Sequence, residues 1–225
     1  MKNNKTNSFW DCYSSKNLSN HSLMNLEKDK NLAKIKLNLE IKHLEKVLNF
    51  KDTDVVLDLG AGIGLWSKYF ATKVAKVVLV EKQANFVEKA RKYLAEYNNV
   101  VFYHSDILSF DSNIKFDKIM LSGVSIYLSD KNFNLINNNV YNWLKDDGIL
   151  IHRDAYGIDD DFLIDKYSEE LDLDYKAFYR SLANYKSAFE RANLIESYCQ
   201  DMYEKESSFN KRLETRLRLA IYSKR

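Results

Sequence analysis

Gly60, Gly62 and Gly64 stand close together in a chain of 225 residues that has only six glycines and no proline. The apolar, β-branched run at 55–59 precedes them and predicts a buried strand, and the pattern at 65–73 predicts a helix. Glycines permit a tight turn and let a ligand approach the backbone, while the first turn of the next helix offers free N–H groups. The segment therefore predicts a ligand-binding loop between a strand and a helix, although nicotinamide and flavin folds use such loops as well.

Strands and helices alternate along most of the chain. We predict further strands at 77–80, 100–103, 116–121 and 149–151, and helices at 26–48, 84–97, 132–144 and 183–192. This alternation is typical of an α/β fold with a parallel, doubly wound sheet. Period-2 alternation at 213–221, after a further strand at 194–203, predicts a closing antiparallel hairpin, although 211–220 also fits a helix.

Three segments outside this alternation have patterns of their own. Residues 1–25 are rich in Asn, Ser and Lys and predict a loosely ordered stretch around an aromatic group at 9–13. Residues 155–180 are acidic and aromatic and predict a partly helical insertion over the carboxyl edge of the sheet. In the helix at 26–48, Lys and Glu fill one face, and the apolar face consists of Leu37, Ile41, Leu44 and Leu48.

Charge and cysteine content exclude several classes of protein. Lys and Arg number 34 against 32 Asp and Glu, so a net charge of +2 gives no reason to expect a nucleic-acid partner. Cys12 and Cys199 lie far apart and predict two free thiols in place of a zinc site or a disulfide framework. No apolar run approaches the roughly 18 residues of a membrane span, and no signal-peptide pattern follows Met1. We therefore expect a cytoplasmic protein without a membrane partner.

Three acidic residues make the glycine loop more specific. Asp58 lies two residues before Gly60, where a carboxylate suits a cationic ligand better than a pyrophosphate. Glu81 ends the second strand, about twenty residues after the loop, where an acid can accept both hydroxyls of a ribose. Asp106 follows the third strand, where a carboxylate can accept from an adenine amino group. The spacing departs from GxGxxG, which counts against a nicotinamide-dependent dehydrogenase.

With these residues the chain resembles the class I S-adenosylmethionine-dependent methyltransferases over about residues 50–155. The matching elements are Asp58-x-Gly60-x-Gly62-x-Gly64, Glu81, Ser105-Asp106-Ile107, Phe116-Asp117-Lys118-Ile119 and the Asp147-Gly148 turn. The resemblance implies a Rossmann-like, mainly parallel seven-stranded sheet, the cofactor S-adenosylmethionine and the product S-adenosylhomocysteine. Carried over, the cofactor-binding residues are Asp58, Gly60, Ala61, Gly62, Glu81, Lys82, Asp106, Ile107 and Ser122.

The resemblance also implies a division of the chain. Residues 1–50 form an N-terminal lid segment and helix, in which Trp10 and Tyr13 fold over the cofactor. Residues 51–225 form the methyltransferase domain, with the insertion at about 155–182 capping the substrate site. A disordered N-terminal tail is the alternative to the lid.

The absence of certain sequence motifs excludes some classes of methyl acceptor. Methyltransferases of base or glutamine amino groups carry an Asn/Asp-Pro-Pro-Tyr/Phe motif, and cytosine-C5 enzymes a Pro-Cys nucleophile, but this chain has no proline. The segment 121–128 after the fourth strand is instead similar to small-molecule methyltransferases. We find no Asp…Asp-Asn metal set of the catechol type and predict no metal.

The fifth strand ends in residues that chemistry at its carboxyl edge can use. His152 is a candidate general base, since its ordinary pKa of about 6.5 suits proton abstraction near neutral pH. Arg153 and Arg180 are candidates for a clamp on an acceptor carboxylate or phosphate, or else form surface ion pairs with the acidic insertion. Tyr127 is a further catalytic candidate, and Tyr156 and Tyr179 are candidates for the wall of the acceptor site.

We therefore expect an enzyme that methylates a polar, anionic small molecule, with O-methylation of a sugar or phosphorylated intermediate of surface-glycan biosynthesis as one possibility. N-methylation of a small amine is the alternative suggested by the acidic stretch 159–174. RNA methylation or RNA binding is suggested by the basic end at 211–225, and binding of the cofactor without catalysis is a further alternative.

Overall fold

The computed structural model of the protein describes residues 4–27, 29–169 and 171–225. Within these ranges the helices are α1 (Asn4–Ser14), α2 (Asn20–Asn25), α3 (Lys30–Val47), α4 (Leu65–Ala71), α5 (Ala84–Tyr93), α6 (Asp130–Trp143) and α7 (Leu182–Arg191). The strands are β1 (Val55–Leu59), β2 (Lys76–Glu81), β3 (Val100–His104), β4 (Phe116–Ser122), β5 (Leu144–Gly157), β6 (Phe162–Ser168), β7 (Leu173–Tyr179), β8 (Leu194–Asp201) and β9 (Thr215–Lys224). A 3₁₀ turn at Ser125–Tyr127 follows β4.

Seven of the described strands form one sheet in the order β3-β2-β1-β4-β5-β9-β8. Strands β1 to β5 pair in parallel, and β9 lies antiparallel between β5 and β8. The predicted doubly wound sheet with a C-terminal antiparallel hairpin is confirmed, and the helix alternative for 211–220 is wrong. The central strands β1 and β2 are apolar and almost entirely buried because helices cover both faces of a parallel sheet.

Two apolar layers hold the helices on the sheet. On one face α6 and α7 pack through large side chains such as Phe133, Trp143 and Phe189. On the other face α3, α4 and α5 pack through Leu44, Phe70 and other buried side chains. The strand register brings the ends of the parallel strands to one edge, where Glu81 pairs with His104 and Ser122 pairs with Arg153.

The segment at 155–182 is not helical, which corrects the prediction. β5 continues to Gly157, and β6 and β7 form a separate antiparallel hairpin. The reason is period-2 alternation: Tyr175, Ala177 and Tyr179 are buried, while Asp174 is exposed and Lys176 is half-buried. Sequence reasoning recognised the aromatic residues but not their spacing.

The N-terminal segment is also more regular than predicted, since 4–14 and 20–25 are helical. Phe9 and Tyr13 lie one turn apart, stack with ring centroids 5.3 Å apart and are buried. Phe9 also contacts Tyr175 of β7 edge-on, so α1 packs against the hairpin. In the described ranges no helix combines the length and apolar character that a membrane crossing needs.

Candidate active site

The glycine loop is held in a conformation that excludes side chains. Gly60 has a φ of +68° and Gly62 a φ of +58°, in the left-handed region that favours glycine. A Cβ on Gly60 would lie 2.6 Å from a methyl of Val124, and a Cβ on Gly62 would lie 2.1 Å from the sulfur of Met24. The N–H groups of Gly60 and Ala61 donate to the Val80 carbonyl, which fixes the loop to the end of β2.

Glu81 fastens the loop from the end of β2. The Gly62 N–H donates to its Oε2 at 2.8 Å, and the Gln83 N–H donates to its Oε1 at 2.6 Å. Burial raises the pKa of the Glu81 carboxyl, and these backbone hydrogen bonds oppose that shift. The carboxylate is therefore fixed in orientation at the mouth of the loop.

Asp58 lies beneath the same loop. It is buried, and the Ser67 hydroxyl donates to its Oδ2 at 2.6 Å. Burial raises the pKa of Asp58 to about 7, against the lowering effect of the Ser67 hydrogen bonds. A cationic group beside Asp58 would favour the ionised carboxylate, so the position suits an ammonium.

A first cavity of about 300 Å³ opens above the loop. Its outer end is polar, since the Lys82 ammonium lies 3.0 Å from a carboxylate oxygen of Asp106. The side chains of Trp10, Phe86 and Ile107 provide apolar walls. The remaining lining residues are Met24, Leu37, Glu40, Asp58, Gly60, Ala61, Gly62, Leu65, Trp66, Glu81, Gln83, Leu108, Ser122, Gly123, Val124, Tyr127, Leu128, Asn132 and Arg153.

A second cavity of about 540 Å³ adjoins the first. The residues that line both are Trp10, Met24, Gly123, Tyr127 and Arg153. The hairpin β6–β7, helix α3 and the segment between β8 and β9 supply most of the other walls. Their charged and aromatic members are Lys36, Asp154, Lys166, Tyr167, Glu169, Tyr175, Tyr179, Tyr203, Phe209, Lys211 and Arg212.

Three tyrosine hydroxyls form a chain along the second cavity. Tyr127 and Tyr175 lie 3.3 Å apart at their hydroxyl oxygens, and Tyr175 and Tyr179 lie 3.1 Å apart. Burial raises the pKa of Tyr127, so its hydroxyl keeps its proton. Tyr127 and Tyr179 thus lie where the sequence places them, while their catalytic and substrate-binding roles stay predictions.

The predicted cofactor-binding residues come together with one exception. Those that line the first cavity are Trp10, Asp58, Gly60, Ala61, Gly62, Glu81, Lys82, Asp106, Ile107 and Ser122. Tyr13 is buried behind Trp10 and is not among the lining residues of either cavity, because it packs between α1 and its neighbours. Tyr13 therefore does not lie where it could contact a cofactor in the first cavity, which corrects the prediction.

His152 does not reach the site, which corrects the prediction of a general base there. It is fully buried, with its ring nitrogens 2.8 Å from the Ser125 hydroxyl and 2.7 Å from the Tyr156 hydroxyl. Burial and the nearby charge of Arg180 lower its pKa to about 3. The pleat of β5 directs His152 into the layer of Phe189, away from both cavities.

Arg180 and Tyr156 are also structural neighbours of the site and do not line it, so the predicted clamp of two arginines is wrong. Arg180 donates to the carbonyls of Ser125 and Leu128 at 3.0 and 2.8 Å and pairs with Asp130 at 2.8 Å. Its guanidinium therefore holds the 3₁₀ turn in place. Tyr156 is fully buried beside His152.

Replacing Arg180 by methionine is expected to lower the free energy of unfolding by about 3 kcal/mol, since it leaves buried carbonyls without donors. The affinity for S-adenosylhomocysteine should stay within about twofold, because the guanidinium does not line the first cavity. Urea unfolding and calorimetry measure the two quantities. Arg191→Met on the exposed surface of α7 is the control, and a large loss of this affinity without loss of stability would place the Arg180 guanidinium in the first cavity.

The structure adds Glu40, which sequence reasoning missed. Its Oε1 lies 2.7 Å from Nη2 of Arg153 and accepts from the Tyr203 hydroxyl. Among the described residues its buried Oε2 has no hydrogen-bond partner, nor has Nε of Arg153. Glu40 and Lys36 were assigned to the polar face of the helix, yet both are buried beside Leu37. Their spacing along that apolar face was the available signal.

Comparison with known proteins agrees with this geometry. Residues 56–148 match a family model described as a methyltransferase domain. Phosphoethanolamine N-methyltransferase 1 of Arabidopsis thaliana is 31% identical over 103 residues, 44% of this chain and 21% of that protein. Ribosomal RNA small subunit methyltransferase A of Syntrophus aciditrophicus is 31% identical over 71 residues, 32% of this chain and 25% of that protein. The chain thus spans about a fifth to a quarter of the length of these relatives.

Two solved structures share the fold over nearly the whole chain. A Leishmania major S-adenosylmethionine-dependent methyltransferase superposes with a TM-score of 0.75 at 17% identity, over 96% of this chain and 82% of that one. Haemonchus contortus phosphoethanolamine N-methyltransferase 1, in complex with phosphoethanolamine and S-adenosylhomocysteine, superposes with a TM-score of 0.71 at 18% identity. That match covers 98% of this chain and 50% of the other.

The fold is one that solved S-adenosylmethionine-dependent methyltransferases share, in agreement with the resemblance seen in the sequence. Residues 56–148 of this chain match the methyltransferase domain over the part that holds the glycine loop, Glu81 and Asp106.

Proposed function

We propose that the chain moves a methyl group from S-adenosylmethionine to a polar, anionic small molecule that binds in the second cavity. The observation that supports this most directly is the junction of the two cavities. Gly123, Tyr127 and Arg153 belong to both linings, so a ligand in one meets a ligand in the other there. Helix α1 and the β6–β7 hairpin then act as the cap over the reaction.

The first cavity fits the cofactor in shape and charge. Glu81 would accept the ribose hydroxyls, Asp106 and Ile107 would hold the adenine, and Asp58 would hold the ammonium of the methionine part. Glu40 adds a buried carboxylate oxygen that lacks a partner among the described residues, next to the same cavity. When bound, the cofactor supplies a methyl group on a cationic sulfur, so the protein mainly aligns the acceptor and excludes water.

An amine nitrogen is the acceptor atom that we favour. Asp154 lines the second cavity and is buried, and the N–H groups of Ser125 and Ala155 donate to it at 2.9 Å. Burial raises the pKa of Asp154 to about 6, so the carboxylate is mostly ionised at neutral pH. It can therefore hold an ammonium and take up its proton. The Arabidopsis relative is by name an N-methyltransferase of phosphoethanolamine, which is consistent with this choice.

O-methylation of a sugar or phosphorylated intermediate of surface-glycan biosynthesis is the second candidate. The cations of the second cavity favour an anionic acceptor whichever atom is methylated. A phosphate or carboxylate oxygen needs no base, which makes His152 unnecessary for such an acceptor.

RNA is less well supported than a small molecule as the methyl acceptor. Three of the basic residues at 211–225 are engaged within the fold: Arg216 donates to backbone carbonyls, Arg218 pairs with Asp201, and Lys224 pairs with Asp146. β9 also lies between two strands of the sheet.

Transfer of labelled methyl from S-adenosylmethionine tests the proposal on phosphoethanolamine, ethanolamine, a hexose phosphate and a short RNA. We expect transfer to the phosphorylated amine and a loss of about a hundredfold or more in Asp154→Asn, since proton acceptance is worth that much. Asp174→Asn on the exposed side of the hairpin is the matched control. Transfer to the hexose phosphate alone would select the second candidate, and transfer to RNA alone would contradict the proposal.

A further inference from the structure

Lys36 is a buried lysine that forms no ion pair with any carboxylate of the described residues. Its side chain extends from α3 into the wall of the second cavity and is 7% exposed. Over residues 4–27, 29–169 and 171–225, no carboxylate forms an ion pair with its ammonium and no acceptor hydrogen-bonds to it. The ammonium instead lies 6.0 Å from the ring centroids of Tyr203 and Phe209. Lysines are almost never buried without a partner.

A second buried lysine in the same molecule has the ion pair that a buried lysine usually forms. Lys118 is 8% exposed, a value close to that of Lys36, and its ammonium pairs with the carboxylate of Asp54. Lys118 lies in the sheet, remote from both cavities. The difference between the two lysines is therefore one of partner and not of burial.

The acids nearest to Lys36 form their ion pairs with other cations. Glu27 pairs with Lys211 at 3.0 Å, and Glu40 pairs with Arg153 at 2.7 Å. Burial lowers the pKa of Lys36, and the charges of Lys211 and Arg153 lower it further, against the opposite effects of Glu40 and Glu27. The ammonium at this position is thus short of negative charge.

The lining of the second cavity has more cationic than acidic side chains, although two of the cations pair with acids behind the lining. Its described lining has five cationic side chains and two carboxylates, which are Lys36, Arg153, Lys166, Lys211 and Arg212 against Asp154 and Glu169. Asp154 and Arg153 follow one another on β5, beside the junction with the first cavity. Lys36, with Tyr203 and Phe209, belongs to a part of the lining that the first cavity does not share.

We propose that Lys36 binds an oxyanion of the methyl acceptor, a phosphate or a carboxylate, while the atom to be methylated lies at the junction with the first cavity. The inference rests on the proposed function and names the group that selects its substrate. An oxyanion beside Lys36 supplies the missing charge in a site of low dielectric, where the attraction is strong. Tyr203 and Phe209 then form the apolar side of the anion site.

The test measures binding of inorganic phosphate, phosphoethanolamine, acetate and ethanolamine to the full chain saturated with S-adenosylhomocysteine, by calorimetry. We compare the wild type with Lys36→Met, Lys36→Arg and Lys34→Met, the last an exposed lysine on the same helix. We expect at least one oxyanion probe to bind, at least tenfold more weakly to Lys36→Met, with partial recovery in Lys36→Arg and none of this loss in Lys34→Met. Ethanolamine should bind equally weakly to all four.

Thermal unfolding without ligand separates this role from a structural one. If Lys36 stabilised the fold, Lys36→Met would unfold at a lower temperature than the wild type. Because Lys36 is a buried charge without an ion pair, we expect Lys36→Met to unfold at a higher temperature. Equal oxyanion affinity in Lys36→Met and the wild type would overturn the inference. So would a wild type that binds none of the oxyanion probes. The affinity for S-adenosylhomocysteine is measured separately. If the wild type did not bind S-adenosylhomocysteine, that result would contradict the proposed function and would leave the role of Lys36 to the oxyanion measurements.

Discussion

Substitution of Glu81 by alanine is expected to weaken S-adenosylhomocysteine binding at least about a hundredfold, because two hydrogen bonds to a charged group are worth about 3 kcal/mol or more. The same carboxylate also accepts from the Gly62 N–H, so its loss releases the glycine loop. Calorimetry on the purified protein gives the affinity. Glu81→Gln, which keeps one acceptor oxygen, should fall between the wild type and Glu81→Ala.

The matched control for this experiment is Glu88→Ala. Glu88 lies on the exposed side of α5 and pairs with Lys92, four residues further along. It should leave the affinity unchanged, as exposed pairs contribute little. An affinity of Glu81→Ala within threefold of the wild type would remove Glu81 from the cofactor site.

Breaking the buried pair of Glu40 and Arg153 is expected to cost about 3–5 kcal/mol of unfolding free energy in either single variant, because each leaves a buried charge alone. Glu40→Leu removes the acceptor of both Arg153 and Tyr203, and Arg153→Met removes the donor. The double variant should recover most of the loss, since apolar replacement of a buried pair is often close to neutral. Urea unfolding of all four proteins gives the coupling free energy.

The Glu88–Lys92 pair again serves as the comparison, because its residues are exposed and their cycle should show coupling below about 1 kcal/mol. Additive losses in the cycle of Glu40 and Arg153 would show that the two charges do not depend on one another. In that case Arg153 would be held by the strand alone and not by α3.

The sequence was sufficient to predict the sheet and the residues that come together around the first cavity, because these depend on local order along the chain. Asp58, Glu81 and Asp106 each follow from the place where a strand ends, and parallel strands bring such ends to one edge. β5 shows where this reasoning stops. His152 and Arg153 are adjacent, so the pleat sends their side chains to opposite faces, and both could not serve one site.

The acceptor side could not be predicted because its walls come from distant parts of the chain. Lys36 meets Tyr203 across more than 160 positions, and no periodicity encodes such a contact. The hairpin of β6 and β7 was missed for a simpler reason, since acidic composition was given more weight than the alternation of Tyr175 and Tyr179. In α3 the sequence predicts that Lys and Glu fill the solvent-facing side, yet Lys36 and Glu40 are buried beside the apolar residues of the helix.

The two cavities differ in where their residues come from along the chain. The loop and acids of the first lie within or beside residues 56–148, whereas most of the second is built from α3, the β6–β7 hairpin and the segment before β9. On the proposed function, the segments that bind the cofactor and those that bind the acceptor are thus largely separate stretches of the chain. We then expect acceptor choice to change through these flanking segments while the glycine loop stays the same, and a graft of the segments to transfer acceptor specificity.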